Sequence, residues 1–221
     1  MLNKLLFCIY LKKNIQFIIN IYFYFIKICL DCLQKSKMKQ DLQTKEILLK
    51  IFIDGGPQIG KQTLAKRFID DEFIQLTQLH KLLDFNIYRT EYYNQKLKIK
   101  IFSFRQHLCR YELVIKKLHQ DSNTLIFAYD ITKRESFDDL QERIQTFMSQ
   151  QFSKNMIVFL IGLKKDLSDQ RQVSKNEAKQ IADSFGMHFF EISSKQNINI
   201  FEMFDLAIRE SLDKFYLFKN L

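Results

Sequence analysis

Lys61, closing the run Gly55-Gly56-Pro57-Gln58-Ile59-Gly60, is the residue whose neighbours best equip it for chemistry on a phosphate. The chain has 221 residues, five glycines and one proline, and three of those glycines and the proline fall between positions 55 and 60. Gly55, four residues, then Gly60-Lys61 is the spacing of a glycine-rich loop whose backbone N–H groups turn inward on phosphate oxygens. The N-terminus of the next helix adds partial positive charge, and the lysine reaches the terminal phosphates. The phosphate-facing positions are Gly55, Gln58, Ile59, Gly60, Lys61, Gln62 and Thr63. This pattern calls for Ser or Thr directly after the lysine as a Mg²⁺ ligand. The chain has Gln62 there, and Thr63 stands one place late, about 100° further round a helix. An ordinary strand-to-helix turn is the other reading of the stretch.

Such a loop needs a strand before it and a helix after it, and both are legible. Ile47 to Asp54 is almost continuously apolar, as in a parallel strand covered on both faces. Leu64, Ala65, Phe68 and Ile69 then recur with helical spacing over about Lys61 to Asp71. Phe85–Tyr93 and Lys96–Ser103 read as two strands joined by Asn94-Gln95. In the second, Leu97, Ile99 and Ile101 alternate with Lys96, Lys98 and Lys100, the signature of a half-buried strand in an antiparallel pair near a sheet edge. Residues 105–120 read as an irregular helical segment. Leu125–Tyr129 and Met156–Ile161 read as buried strands and His188–Ile192 as a short one. A helix is expected from Ser136, with Phe137, Leu140, Ile144 and Phe147 inside. Ser174 and Glu177 predict a capping box for a helix with Ala178, Ile181, Ala182 and Phe185 inside and Gly186 at its end. The last helix turns Phe201, Phe204, Ile208, Leu212 and Phe215 inward. The sum is an α/β three-layer sandwich. Its mostly parallel six-stranded sheet has one antiparallel edge strand, and the ligand site lies at the carboxyl ends of the strands.

Charge and composition narrow the function. The net charge is +9, but residues 1–45 hold eight lysines against Asp31 and Asp41, so six of those nine charges sit before the first strand. The nearly balanced remainder carries no basic stripe with aromatic platforms, and no nucleic-acid partner is expected. Four cysteines in a chain of this length fit a reducing compartment rather than a disulfide framework. Residues 1–37 form an apolar N-terminal segment and 38–46 a polar linker, leaving 47–218 as the domain. The longest uncharged run, Asn14–Ile26, is short of the roughly 30 Å hydrocarbon core, although Asn14–Leu33 spans it if Lys27 snorkels. Three readings of the segment stand side by side: a membrane anchor, a leader upstream of a start at Met38, and an extra packed helix. Cys29-x-x-Cys32 has no second pair to complete a zinc site and reads as plain or lipidated cysteines.

Three more stretches carry a family resemblance. Tyr129-Asp130-Ile131-Thr132 with Glu135-Ser136-Phe137, Gly162-Leu163-Lys164-Lys165-Asp166-Leu167 and Phe190-Glu191-Ile192-Ser193-Ser194-Lys195 follow the loop in order. With Arg67-Phe68-Ile69-Asp70-Asp71, Asp84-Phe85 and Ala182-Asp183-Ser184-Phe185-Gly186, they make residues 46–218 resemble a Ras-superfamily small GTPase, closest to the Rab branch. The resemblance implies the phosphate-loop small GTPase fold and GTP or GDP as ligand. A carboxylate accepts from guanine N1–H and its exocyclic amine together, a donor pair adenine lacks, and Asp166 stands where the family has that carboxylate. By the same resemblance the stem of Lys164 lies along the base, the Ser193-Ser194-Lys195 loop presents backbone N–H to the guanine carbonyl, and Phe73 closes over the ring. Leu163 replaces the asparagine that ties the base loop to the phosphate loop.

The phosphate side departs from the family. Its Mg²⁺ ligands are the Ser or Thr after the lysine, a Thr of the first switch and, through water, the Asp opening DxxG. Gln62, His80 and Ser103 occupy those positions here, and Mg²⁺ favours near-octahedral oxygen coordination at about 2.0–2.1 Å. The DxxG stretch reads Ser103-Phe104-Arg105-Gln106-His107, without the family's Asp, Gly and Gln. His107, near the water position, is a tempting substitute base, and a lone surface histidine is more often simply solvated. Within the loop, Pro57 removes a donor and Gln58 replaces a glycine; a left-handed backbone there costs about 1–2 kcal/mol.

Two functions follow from the resemblance. One is a GTP/GDP-binding regulator of intracellular vesicle traffic with very weak or absent hydrolysis. The other is a nucleotide-independent pseudo-GTPase acting as a protein-binding module. Effector or regulator proteins are the expected partners, through the switch surfaces, and a membrane joins them if the N-terminal segment is an anchor. The expected location is cytoplasmic, on the cytosolic face of an internal membrane in the anchored case. With Lys219-Asn220-Leu221 at the end and Cys109 the last cysteine, prenylation at that end is not expected.

Overall fold

The computed structural model describes residues 46–73, 83–104, 112–150 and 156–219. Six strands, β1 (Ile47–Gly55), β2 (Leu83–Tyr92), β3 (Gln95–Phe104), β4 (Thr124–Asp130), β5 (Ile157–Leu163) and β6 (His188–Ile192), form one sheet in the order β2-β3-β1-β4-β5-β6. β1 pairs in parallel with β3 and β4, β4 with β5, and β5 with β6. The edge strand β2 reaches β3 through a two-residue turn, which only an antiparallel pair allows. The helices are α1 (Lys61–Asp70), α2 (Glu112–Gln120), α3 (Arg134–Met148), α4 (Lys175–Ser184) and α5 (Ile200–Lys219). Glu46 and Glu91–Lys96 belong to a second compact unit; the larger one, Ile47–Thr90 with Leu97–Leu221, carries the site.

Continuously apolar strands end up covered on both faces. Phe52, Phe127, Tyr129, Leu140, Ile144 and Phe147 belong to the buried cluster beneath α2, α3 and α4. On the opposite face α1 packs with α5, where the rings of Phe68 and Phe204 stack 4.0 Å apart. Thr124 Oγ1 and Ser211 Oγ, both buried, pair at 2.9 Å beneath α5. Each such Leu, Ile or Phe side chain contributes about 1.5–3 kcal/mol by leaving water.

Several local expectations are corrected. The hairpin turn is Tyr93-Asn94, one residue earlier than Asn94-Gln95, and both turn residues have positive φ (49° and 61°), as a type I′ turn requires. α3 starts at Arg134, and Ser136 is not its cap. The Ser136 hydroxyl donates instead to Lys133 O at 2.7 Å and accepts from the Asp130 amide at 3.0 Å, tying the helix start to the end of β4. Phe201 faces solvent at 70% exposure, and α5 buries Ile200, Met203 and Ala207 beside Phe204, Ile208 and Leu212. Phe185, at 38%, is also largely outside. β5 runs on to Leu163 and β4 to Asp130, because both strands continue to the rim at their carboxyl ends where the site is built. The Ser174 cap stands, with its hydroxyl accepting from the Glu177 amide at 3.1 Å, and Gly186 ends α4 at φ 65°.

Candidate functional site

The strand order reverses at β1, which has β3 on one side and β4 on the other, so the crevice at its carboxyl end is where an open α/β sheet takes a ligand. Residues 55–60 fill that position. Gly55 pairs with Ala128, and a Cβ at Gly55 would stand 2.3 Å from Ala128 O; only glycine lets β1 close on β4 there. Gly60 enters α1 at φ 109°, a conformation that L side chains rarely adopt. Ile59 is buried and pins the loop from beneath, while Pro57 and Gln58 are exposed at its crown. Gln58 does adopt the left-handed backbone, at φ 57°, so the cost foreseen for a non-glycine residue is incurred.

Lys61 curls back under this loop. Its Nζ donates to Gly55 O at 2.8 Å and to Gly56 O, and the side chain is buried. Burial lowers its ammonium from 10.5 to about 8, opposed by the negative charge of Asp54 and reinforced by the positive charge of Arg143. Asp54, the last residue before the loop, is 3% exposed and receives Arg143 Nη1 from α3 at 2.6 Å. His119 Nε2, at the end of α2, approaches its other oxygen at 3.4 Å. The sequence reading passed over this trio. Its available signal was a carboxylate closing an apolar strand, which must find a cation when buried.

The base side is assembled from two loops. Asp166, in the 3₁₀ turn Lys165–Gln170 after β5, accepts through Oδ1 from Ser193 Oγ at 2.6 Å. Ser193 is fully buried and its hydroxyl also accepts the Gln196 amide at 3.0 Å, so the carboxylate is held from behind. The turn is bound back to β4 by the Gln172 and Val173 amides, which donate to Ile131 O at 2.8 and 3.2 Å. Arg171 forks onto Glu191 of β6 at 2.5 and 3.0 Å. Of the three loop residues expected to offer amides, Ser193 donates its own to Ile198 O at 3.3 Å. That leaves Ser194 and Lys195 for the task. Phe73, 43% exposed, stands after α1, and Asn197 Nδ2 donates to Asp71 Oδ1 at 3.1 Å between the two regions.

Two further positions flank the base loop. Lys164, with φ 63°, places its Nζ 2.6 Å from Asp130 Oδ2, while Asp130 Oδ1 takes the Thr132 amide at 2.9 Å and hydroxyl at 2.7 Å. The lysine is thus anchored by the Tyr-Asp-Ile-Thr stretch. Leu163 is buried, and its Cδ1 lies 4.0 Å from where a Gly60 Cβ would stand, which sets an apolar side chain beside the phosphate loop.

Of the three positions aligned with Mg²⁺ ligands, Gln62 and Ser103 are described, and His80, like His107, lies outside the described residues. Ser103 is buried near the end of β3. The Gln62 Nε2 is shielded from solvent and has no hydrogen-bond partner among the described residues. In this orientation of the amide the nitrogen is a donor without a lone pair for a hard cation, and the Oε1 is the side chain's one possible cation ligand. Asp54, the carboxylate beside the loop, is committed to Arg143. Among the described residues no group of three or more His, Cys, Asp or Glu is placed to hold a metal. The described positions thus lack both the hydroxyl next to the lysine and the carboxylate at the end of β3 that the resemblance calls for.

Residues 50–213 match the model of the Ras family. The chain is 32% identical over 170 residues to "Ras-related protein Rab-3A" of Homo sapiens, covering 75% of this chain and 74% of that protein. It is 30% identical over 165 residues to "GTP-binding protein ypt2" of Schizosaccharomyces pombe, covering 75% and 82%. It is 29% identical over 182 residues to "Ras-related protein Rab-12" of Mus musculus, covering 82% and 74%.

Proposed function

The chain belongs to the Ras family, among relatives of the Rab type, and from that premise we propose that it is a guanine-nucleotide-binding regulator of intracellular vesicle traffic whose GTP hydrolysis is very weak or absent. The observation that carries the proposal is the contrast between the two ends of one site. At the base end, Asp166 is oriented by Ser193, with Oδ2 left for the ligand's donors. At the phosphate end, Lys61 is in place, but Gln62 and Ser103 occupy positions of metal ligands and Gln58 strains the loop. Bound Mg²⁺ would supply neutralisation of charge developing on the transferred phosphoryl group. This chain's residues bind, orient and enclose the nucleotide, and none of those described is placed to activate water.

Membrane traffic enters through the family, with effector and regulator proteins as partners. Among the described residues no helix is long and apolar enough to cross a membrane, so an attachment through residues 1–37 is part of the proposal, as is a cytoplasmic location on an internal membrane. Competition for a mant-GDP probe tests the central reading. GDP should displace the probe at least tenfold better than ADP, and equal displacement by both would contradict guanine recognition. A second reading, a protein-binding module that needs no nucleotide, is favoured by Pro57 and left-handed Gln58 at the loop's crown. Absence of any mant-GDP binding would select it.

A further inference from the structure

We propose that Gln62 stands in for the metal: its carboxamide Nε2 donates to a phosphate oxygen beside Lys61, so that the loop takes up nucleotide as free polyphosphate rather than as the Mg²⁺ chelate. The proposal rests on the reading of this loop as a nucleotide site.

Three observations converge on it. Gln62 is the second residue of α1, next to the lysine that the loop holds in place. Its Nε2 is a solvent-shielded donor without a partner among the described residues, and such a donor is costly until an acceptor arrives. A phosphate lying over the helix N-terminus brings that acceptor, where the helix dipole favours negative charge. In this orientation the amide turns a donor rather than its oxygen to the site, and the nearby Asp54 carboxylate is taken by Arg143. A divalent ion carried in on the nucleotide would therefore gain little from the protein. Instead it would mask the phosphate oxygens that Lys61 and Gln62 bind. Millimolar Mg²⁺ should leave affinity unchanged or weaken it, the reverse of a site built around the ion.

The test is equilibrium titration of the full chain with mant-GDP, in excess EDTA and again in millimolar Mg²⁺. Wild-type affinity in EDTA should equal or exceed that in Mg²⁺. Gln62→Leu, of similar size without the donor, should lose about tenfold in EDTA, and Gln62→Ser should lose as much. The nucleotide-free midpoint of thermal unfolding of Gln62→Leu should not fall, because the variant removes an unpaired donor; this separates lost binding from lost folding. Wild-type binding that appears only with Mg²⁺, or Gln62→Leu binding like wild type, would overturn the inference while leaving the nucleotide reading intact. No binding by wild type in either buffer would overturn both.

Discussion

Lys61 is held between a desolvating loop and a buried carboxylate, and its titration turns that placement into a pH dependence. Free Lys61 has its ammonium lowered to about 8 by burial. A bound phosphate favours the charged form, so the bound value is higher. Binding is therefore full below pH 8 and falls as pH rises through the free value, by up to tenfold per unit until the bound value is reached. Affinity for mant-GDP measured from pH 6.5 to 9.5 should show that break, which Lys61→Met should abolish together with most of the binding. At the base, Asp166→Ala removes the acceptor side chain and should cost 10- to 100-fold in GDP affinity, while ADP affinity stays flat. Equal losses for both nucleotides would show that Asp166 does not read the base. Lys61 was legible from the spacing of its glycine-rich loop, and Asp166 only through the resemblance carried by Lys164-Lys165-Asp166-Leu167. Asp54, Arg143 and His119 were not, since their meeting depends on β1, α2 and α3 being brought together by packing.

Among the elements, β1 and α3 are joined by the least replaceable contact. Removing Arg143 leaves Asp54 buried beside the loop, so Arg143→Met should destabilise the fold by roughly 2–4 kcal/mol in urea unfolding. The lower part of that range reflects an arginine side chain 19% exposed. Pairing it with Asp54→Ile should recover most of the loss, because two matched apolar groups replace two charges; a double variant no more stable than Arg143→Met would show that the pair does more than neutralise itself. Ser174→Ala should cost about 1 kcal/mol through its lost bond to the Glu177 amide. Element type and order followed from periodicity, but ends did not. The Tyr93-Asn94 turn, the start of α3 and exposed Phe201 turned on local hydrogen bonds and on which helix face meets the sheet, which a one-dimensional pattern leaves open.

For the whole molecule, the three-layer sheet explains how one end of a site is kept while the other changes. Asp166 and Ser193 lie at the ends of β5 and β6, braced by Arg171 and Glu191. The phosphate loop joins β1 to α1, and the apolar Leu163 at the end of β5 lies beside it near Gly60. We expect residues 38–221 alone to unfold cooperatively; a non-cooperative transition would show that residues 1–37 belong to the core. The central claim is recognition of guanine without metal-assisted hydrolysis, and single-turnover GTP hydrolysis by the full chain in saturating Mg²⁺ tests it most directly. The expected rate is below the roughly 3–5 × 10⁻⁴ s⁻¹ that Ras reaches unaided, and a rate at or above that value, abolished by EDTA, would contradict the account.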